Sequence, residues 1–364
     1  MRWAGLEAWS GIPYQKLPLI NNLPSCEPES SLYSGEWVKL ICGASNEDLA
    51  SIEDLCGIYT LVGVDCIDVA PNVAVVNAAR RGIRWAIERG GKRPWLMISL
   101  SDGDDPHFRK AWFNSSLCPS NCPRPCENIC PTLAINTTGI VPELCYGCGR
   151  CLPSCPFDLI HTSSQVIHPQ NIPSLLLDLC PDLVELHTQL GRLQSFTERV
   201  KQIQISGIPT KYLAISLGLD SLKELCSEQL KTELWERYKI ILQSNLCPIW
   251  QIDGRPMSGD IGAGTAYASI RLLNTLSHLL PPGPIQLAGG TNSQTILLTE
   301  QTFPNRSISE RKLSGVAFGG IARRLLQPLI LKAETMGLSL LKHPDLRDEA
   351  VRLAYGLVST WRRH

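Results

Sequence analysis

Short apolar runs recur along most of the chain and alternate with segments of helical spacing. Three runs precede residue 105 and five follow residue 180, and each is short enough to be a buried strand. Strands that alternate with helices predict βα units and a parallel sheet. The eight runs are VKLIC (38–42), CIDVA (66–70), PWLMISL (94–100), LVELHT (183–188), YLAISLG (212–218), PIWQID (248–253), PIQLAGG (284–290) and GVAFGG (315–320).

Eight βα repeats are what a (β/α)8 barrel of the TIM type requires. An open, doubly wound sheet would show the same alternation, but no dinucleotide-binding glycine fingerprint follows the first run. We therefore predict the barrel and keep the open sheet as the alternative. Ser45 is the expected N-cap of the first helix. The amphipathic segment 344–364 is expected to pack on the barrel as a helix, with partner docking as the alternative.

The alternation stops between residues 106 and 165, where prolines are frequent and no long helical pattern is present. Such a segment inside a barrel pattern is typical of an inserted domain. The predicted organisation is an N-terminal arm (1–35), a barrel in two parts (36–105 and 166–335), an insertion (106–165) and a C-terminal helix (336–364).

Cysteine is the residue type whose distribution is unusual. Eight of the fifteen cysteines fall between residues 118 and 155, whereas the other seven are scattered and have no assigned role. The net charge of zero argues against a nucleic-acid partner. The sequence shows neither a membrane-spanning apolar run nor the apolar core of a secretory signal, so we expect a cytoplasmic protein. In a reducing compartment, clustered cysteines bind metal more often than they form disulfides.

The second half of the cysteine cluster has the spacing of bacterial ferredoxins. Cys145, Cys148 and Cys151 are separated by two residues each, and Cys155 follows after three and precedes a proline. In that pattern the first three thiolates bind one iron–sulfur cluster and the fourth binds the other cluster of the pair. The glycines between these cysteines would let the loop backbone approach the cluster closely.

The first half of the cluster ends in the same way but is more widely spaced. Its four cysteines are separated by three residues each, and CPTLAI (130–135) mirrors CPFDLI (155–160), which is the internal repeat of a two-cluster ferredoxin domain. We predict one iron–sulfur cluster on Cys130, Cys145, Cys148 and Cys151 and a second on Cys118, Cys122, Cys126 and Cys155.

Both clusters are predicted to be of the [4Fe–4S] type, with a [3Fe–4S] or labile cluster as the alternative for the widely spaced set. A pair of zinc sites is the other alternative. Zinc sites usually present two C-x2–4-C pairs separated by a spacer. Evenly stepped cysteines that end in Cys-Pro, twice over, favour iron and sulfide.

Glycine pairs follow the last two predicted strands. Gly289 and Gly290 come after the seventh strand, and Gly319 and Gly320 come after the eighth, with Arg323 close behind. In many barrels these loops bind a phosphate group through backbone N–H groups and a helix N-terminus. The pattern predicts a site for a phosphate-containing ligand such as a flavin, and the alternative is that the glycines only permit tight turns.

Polar residues also follow the strand PIWQID. Asp253, Arg255 and Asp260 would lie at the carboxyl-terminal face of the barrel, where active sites form. No nucleophile–base pattern accompanies them, so the sequence assigns them no reaction.

The chain resembles the cyanobacterial light-dependent period protein family, LdpA, over about residues 30 to 330. The resemblance rests on five segments, GEWVKLICGASNEDL (35–49), CPSNCPRPCENICPTLAI (118–135), CYGCGRCLPSCPFDLI (145–160), PIWQIDGRPMSGDIGAGT (248–265) and QLAGGTN (286–292). It implies an iron–sulfur protein in the input pathway of the circadian clock, with the eight clustered cysteines as ligands and clock-input components as partners. By that resemblance the protein conveys light-dependent redox state to the clock and adjusts its period.

Three functions follow from these patterns. The first is a redox sensor whose clusters change charge on electron transfer and whose surface transmits the change to a partner. The second is an oxidoreductase in which the clusters pass electrons to a flavin or substrate in the barrel. A plain electron carrier ranks last, because a carrier would not need a barrel.

Overall fold

The computed structural model describes residues 28–218, 226–255, 262–308 and 311–362. Most of the predicted N-terminal arm and the candidate residue Asp260 lie outside these ranges. The elements before the insertion are α1 (Pro28–Ser34), β1 (Trp37–Gly43), α2 (Leu49–Leu61), β2 (Cys66–Val69), α3 (Val73–Ile87) and β3 (Trp95–Ser101). The insertion contains β4 (Arg109–Trp112), α4 (Pro125–Ile129), β5 (Ile135–Asn136), β6 (Gly139–Ile140) and β7 (His161–Ser164).

The second part of the barrel continues the alternation of helices and strands. Its elements are α5 (Ile172–Leu179), β8 (Leu183–Thr188), α6 (Leu193–Ile205), β9 (Tyr212–Gly218), α7 (Ser227–Gln243), β10 (Cys247–Asp253), α8 (Ala266–Leu276), β11 (Ile285–Ala288), α9 (Thr295–Thr302), β12 (Ser307–Ile308), β13 (Arg311–Lys312), β14 (Gly315–Phe318), α10 (Gly320–Thr335) and α11 (Pro344–Ser359).

Eight parallel strands close into a barrel in the order β1, β14, β11, β10, β9, β8, β3, β2. They are the eight apolar runs of the sequence, so the barrel prediction is confirmed and the open sheet is wrong. The strands are four to seven residues long and the helices between them pack on the outside. The closing pair β1–β14 places the first and last strands side by side, with Val38 opposite Val316.

Alternate strand residues face opposite sides of the barrel wall, as the two-residue period of a strand requires. Leu40, Ile98 and Ile215 belong to the large apolar core between strands and helices. Lys39 and Glu185 occupy the intervening positions and are also fully buried, so the barrel interior is polar at mid-height.

The lower end of the barrel, where the strands begin, is closed by apolar side chains. Leu32 of α1 packs there with Trp37, Leu183 and Tyr212, and all four are almost completely buried. Trp37 Nε1 donates to Gln286 Oε1 at 2.5 Å, which satisfies its polar atom inside this layer.

One helix boundary differs from the prediction. Ser45 lies in the turn that follows β1, and the N-cap of α2 is Asp48, whose side chain accepts a hydrogen bond from Ser51 N at 3.1 Å. Serine and aspartate are both good N-caps, and the turn that carries Ser45 delays the start of the helix by three residues. At the other terminus α11 packs against α2 and α10, which is the expected barrel packing. None of the described helices is both long and apolar enough to cross a membrane.

The insertion leaves the barrel after β3, at the carboxyl-terminal ends of the barrel strands. Its two ends pair as an antiparallel ribbon, β4 with β7, so that Trp112 lies opposite His161. Above this ribbon the insertion has its own small core, formed by Ala111, Cys126, Ala134, Ile135, Cys145, Cys151 and Ile160. A separate core is what an inserted domain requires.

Candidate functional site

The loop from Cys145 to Cys151 curls tightly because of its two glycines. Gly147 has φ +72° and Gly149 has φ +73°, a region that side chains strongly disfavour. A Cβ on Gly147 would lie 2.0 Å from the Arg109 carbonyl oxygen, so only glycine fits where the loop crosses β4. The chain therefore presses the cysteine loop against the ribbon that joins the insertion to the barrel.

Backbone N–H groups donate to the thiol sulfurs in both halves of the cysteine cluster. Ala134 N lies 3.2 Å from Cys130 Sγ, and Leu159 N lies 3.4 Å from Cys155 Sγ. Each donor is four residues beyond the cysteine that precedes proline, so the sequence repeat is also a repeat of hydrogen bonding. Such donors stabilise negative charge on sulfur.

The eight thiols fall into two groups of mutual neighbours. Burial and the nearby Cys148, Cys145 and Cys130 thiols together raise the pKa of Cys151 to about 12. Burial likewise raises the pKa of Cys148, with Cys130 and Cys145 as its cysteine neighbours. We call this group, Cys130, Cys145, Cys148 and Cys151, the proximal set.

The remaining thiols form the other group. Burial raises the pKa of Cys118, and its neighbours Cys122 and Cys155 add to the shift. The pKa of Cys126 is raised by burial and by Cys155. We call Cys118, Cys122, Cys126 and Cys155 the distal set. Each set draws its members from both halves of the repeat, as the ferredoxin spacing predicts.

These donor sets fit iron–sulfur clusters. Two thiols of each set have pKa values raised by burial and by neighbouring thiols, namely Cys118, Cys126, Cys148 and Cys151. A cation between the thiols would deprotonate them and offset the repulsion between their charged forms, which makes them good ligands. The proximal set would hold one cluster and the distal set the other, with the backbone donors supplying hydrogen bonds to sulfur.

Tyr146 connects the proximal set with the barrel. Its hydroxyl interacts with Cys148, and the Arg323 guanidinium lies 4.1 Å from the centre of its ring. Burial and the nearby Cys148 thiol raise the pKa of Tyr146 to about 12, although Arg323 opposes the shift, so the hydroxyl stays protonated beside the sulfur. Arg323 in turn donates to the carbonyl oxygen of Cys42 at the end of β1.

A pocket lies at the carboxyl-terminal ends of the barrel strands, directly beneath Tyr146. Its lining combines glycine loops, acidic side chains, two imidazoles and two guanidinium groups. The residues around it are Ile41, Gly43, Ala44, Asp68, Ser99, His107, Tyr146, Glu185, His187, Gln251, Asp253, Arg255, Gly289, Gly290, Thr291, Gly319, Gly320 and Arg323.

The floor of the pocket is a buried charge network. Lys39 forms an ion pair with Glu185 and donates to Gln251 Oε1 at 2.6 Å. Burial alone would lower the pKa of Lys39, but the Glu185 and Asp68 carboxylates raise it above its usual value. Burial and the Glu185 charge raise the pKa of Asp68 to about 7, although Lys39 opposes the shift. A buried network of this kind is typical of functional sites, although structural ion pairs also produce it.

His187 on β8 stands at the edge of this network. Its Nε2 lies 3.0 Å from Glu185 Oε1, and although burial disfavours the imidazolium, the carboxylate raises the pKa of His187 to about 9. Asp105 and His107 approach from the segment that leads from β3 into the insertion, with 2.8 Å between Asp105 Oδ1 and His107 Nδ1. The ring centres of His107 and His187 are 4.6 Å apart.

The structure brings all the described barrel candidates to this pocket. Gly289 has φ +64°, and a Cβ there would lie 1.9 Å from Asp253 Oδ1, so a tight turn and close packing account for this glycine. Gly319 has neither a positive φ nor a close contact; it caps α10, whose N-terminus faces the pocket. A phosphate-binding role for these residues stays a prediction.

Sequence reasoning missed most of the polar floor. Lys39, Glu185 and His187 stand in apolar strand runs at inward positions, which a two-residue alternation could have marked. Asp105 and His107 have no such signal, because only the path of the chain out of β3 brings them to the barrel.

Two family models match the chain. The LdpA Fe–S cluster-binding domain matches residues 118–166, and the light dependent period A C-terminal domain matches residues 175–360. These ranges cover the cysteine sets and the second part of the barrel.

Curated proteins and solved structures give further similarities. Light dependent period A of Synechococcus elongatus is 42% identical over 333 residues, covering 91% of this chain and 92% of that protein. Protein NrfC of Escherichia coli strain K12 is 28% identical over 162 residues, covering 43% of this chain and 65% of that protein. Tryptophan synthase of M. tuberculosis aligns over 91% of this chain and 100% of that chain, with 11% identity and a TM-score of 0.37.

Identity of 42% along nearly the whole of both chains is enough to establish kinship. The iron–sulfur cluster-binding domain of the family falls on the segment that carries the two cysteine sets. The chain therefore belongs to the LdpA family, the light dependent period A proteins.

Proposed function

We propose that this protein is a redox sensor in which two iron–sulfur clusters control the barrel pocket, and that it conveys light-dependent redox state to the circadian clock. The proximal and distal sets would each hold one cluster, of the [4Fe–4S] type at the proximal set and of the [4Fe–4S] or [3Fe–4S] type at the distal set. The observation that carries the proposal is Tyr146, which interacts with Cys148 on one side and lines the barrel pocket on the other.

Electron transfer would change the charge that Tyr146 and Arg323 experience. Reduction would add negative charge to the proximal cluster, which would strengthen its attraction for the Tyr146 hydroxyl proton and for the Arg323 guanidinium. Arg323 also holds the end of β1 through the Cys42 carbonyl group and belongs to the first turn of α10. The cluster state would thus act on the rim of the barrel.

The cluster content is tested first. Protein purified without oxygen is assayed for iron, sulfide and zinc, and its EPR spectrum is recorded before and after reduction with dithionite. We expect iron and sulfide in amounts that fill two clusters, with signals that change on reduction. Colourless protein that carries zinc and gives no EPR signal would disprove the cluster assignment.

The sensing step has its own test. Hydrogen exchange of residues 315–324 is compared between the oxidised and the reduced protein, in the wild type, in Tyr146→Phe and in the control Tyr267→Phe, whose ring is exposed on α8. We expect a redox-dependent change in the wild type and the control that is lost in Tyr146→Phe. Identical exchange in both redox states of the wild type would contradict sensing even if both clusters are present.

The partners we propose are clock-input proteins, and the location we propose is the cytoplasm, where thiols remain reduced and available to metal. A tagged copy purified from illuminated and from darkened cyanobacterial cells should retain clock-input proteins in amounts that depend on light. Equal recovery of clock-input proteins in light and darkness would contradict a redox-dependent association.

An iron–sulfur oxidoreductase is the second candidate function. It is favoured by Arg323 Nε, a buried donor without a hydrogen-bond partner among the described residues, next to the N-terminus of α10. A guanidinium N–H group next to a helix N-terminus suits a phosphate group of a flavin or substrate. Acid extraction of the purified protein distinguishes the two functions, because flavin in a one-to-one ratio with the chain would favour the oxidoreductase.

A further inference from the structure

We propose that Asp105, His107 and His187 form a mononuclear site for a divalent transition-metal ion at the rim of the barrel pocket, separate from the cysteine sets. Each residue offers one ligand atom, and these atoms all lie within 4.8 Å of one another. Asp105 Oδ1 is 2.8 Å from His107 Nδ1 and 3.9 Å from His187 Nδ1.

The surroundings of His187 are those of a metal-binding imidazole. Its Nε2 faces Glu185 Oε1 at 3.0 Å, and Glu185 is itself fixed by Lys39 and by Gln251 Nε2 at 2.5 Å. A carboxylate behind a histidine fixes its tautomer and ring orientation and makes the other nitrogen a better ligand. That other nitrogen, Nδ1, is the one directed at Asp105.

Local hydrogen bonding explains only part of the cluster. Asp105 caps the short turn at Pro106–Phe108 by accepting a hydrogen bond from His107 N at 2.9 Å, which accounts for the Asp105–His107 contact. It does not account for His187, which comes from a barrel strand and reaches the same carboxylate. Three ligands from two separate segments therefore converge on one point.

The charge balance favours a cation. Asp105, Glu185 and Asp253 all lie within 4 Å of an imidazole nitrogen, whereas Lys39 is the ammonium that contacts the same network. A divalent ion that binds in place of the His187 proton would offset the negative charge of these carboxylates.

Two imidazoles and one carboxylate select the class of metal. This set suits Fe2+, Co2+ or Zn2+ and not Mg2+ or Ca2+, which prefer oxygen ligands. Both histidines line the pocket, so the remaining coordination positions would face it. Arg255 and Arg323 line the same pocket, so a small anion with an oxygen donor is the class of molecule that would bind to the metal.

The site would also join the insertion to the barrel. Asp105 and His107 belong to the segment that enters the insertion, and His187 pairs with Ser101 across β3 and β8. The cysteine loop contacts the same segment, since Gly147 packs on the Arg109 carbonyl group. A metal ion here would hold the base of the cluster-binding insertion on the barrel rim.

The test uses cobalt, which can be counted separately from the iron of the clusters. Holoprotein with full iron and sulfide content is dialysed anaerobically against Co2+, and cobalt, iron and sulfide are measured on the same sample. The variants are His107→Asn, His187→Asn and the control His278→Asn, whose side chain is exposed after α8. His107→Asn is the second variant in case the more deeply buried His187→Asn does not fold.

We expect one cobalt ion for each chain in the wild type and in His278→Asn, and binding at least tenfold weaker in the two site variants. Iron and sulfide should stay constant throughout. Cobalt K-edge X-ray absorption should show nitrogen and oxygen neighbours. Absent binding, equal binding in all folded variants, sulfur neighbours, or iron lost as cobalt enters would each overturn the site. The iron and sulfide counts test the clusters independently, so failure of this site leaves the proposed sensor intact.

Discussion

Cys148 and Cys118 belong to different sets and to halves of different spacing. We predict that Cys148→Ser abolishes the proximal cluster, because a regular ferredoxin loop has no spare thiol to replace it. Cys118→Ser should lose less iron, because its half of the repeat is irregular. Iron and sulfide counts on anaerobic protein measure both losses, with Cys180→Ser as the control, since Cys180 is exposed and distant from the cysteine sets. Equal iron loss in Cys148→Ser and Cys118→Ser would contradict the ranking.

Tyr146→Phe removes one hydroxyl group and leaves the ring that Arg323 contacts. The hydroxyl is held protonated beside Cys148, and a hydrogen-bond donor near sulfur stabilises the more negative, reduced cluster. Its removal should lower the reduction potential of the proximal cluster. One hydrogen bond of about 0.5–1.5 kcal/mol corresponds to roughly 20–60 mV for a one-electron couple. An EPR-monitored titration measures the shift, and an unchanged or raised potential would show that the hydroxyl does not act on the cluster.

For individual residues, the sequence was informative where the intervals between ligands determine the chemistry. The cysteine pattern alone predicts which thiols would share a cluster, because ferredoxin ligation follows fixed intervals along the chain, and this assignment stays a prediction. The interaction of Tyr146 with Arg323 joins residues far apart in the sequence, and no local pattern encodes it. In the sequence, Lys39 is one polar residue within an apolar strand. The closed barrel is what buries its side chain in the interior.

The cysteine loop and strand β4 depend on each other through Gly147. Gly147→Ala places a Cβ where the Arg109 carbonyl oxygen lies, 2.0 Å away, so we expect the loop to move and the proximal cluster to be lost. Gly149→Ala is a matched control, because its φ of +73° is as unfavourable but its nearest neighbour is Leu152 Cδ1 at 3.7 Å.

The comparison therefore separates the steric contact from the backbone strain of about 1–2 kcal/mol that both variants share. Iron content and the denaturation midpoint of each variant give the result. If Gly149→Ala lost as much iron as Gly147→Ala, the contact with Arg109 would not be the cause.

Elements were predicted best where one pattern covered the whole element. All eight barrel strands coincide with apolar runs, since a strand buried on both faces has few polar positions. The N-cap of helix α2 is Asp48 and not Ser45, because the turn after β1 uses the residues that would otherwise have started the helix. The short strands β5 and β6 have two residues each, too few for any periodicity.

The buried ion pair in the barrel interior should be costly to break, because the remaining charge would stay buried without its partner. Lys39→Met would leave Glu185 without its ammonium partner in a fully buried position. Removing one partner of a buried pair costs about 3–5 kcal/mol. Lys239→Met is the control, because Lys239 pairs with Glu236 on the surface, where such a pair contributes less than about 1 kcal/mol. Urea unfolding of the two variants should differ accordingly, and equal midpoints would show that Glu185 finds another partner.

The insertion and the barrel have separate cores, so they should respond differently to loss of metal. When the clusters are removed by chelation under oxidising conditions, we expect faster hydrogen exchange in residues 113–160 and unchanged exchange in the barrel strands. The ribbon of β4 and β7 keeps the two ends of the insertion together without help from iron. Exchange that also increased in β3 and β8 would mean that the clusters stabilise the whole molecule.

The barrel and its cysteine-rich insertion could be predicted, because the number of βα repeats and the cysteine spacing are both visible in one sequence. The position of the cysteine loop over the barrel mouth could not, since it depends on how the segment after β3 folds back on the rim.

The apolar layer beneath the barrel affects how small molecules reach the barrel interior. Among the described residues, the lower end of the barrel is filled by buried side chains that leave little room for a small molecule to pass, namely Leu32, Trp37 and Tyr212. A small molecule would enter and leave the interior at the opposite rim, past Tyr146 of the cysteine loop. The rate at which the cavity fills and empties would therefore depend on the loop that carries Cys145, Cys148 and Cys151.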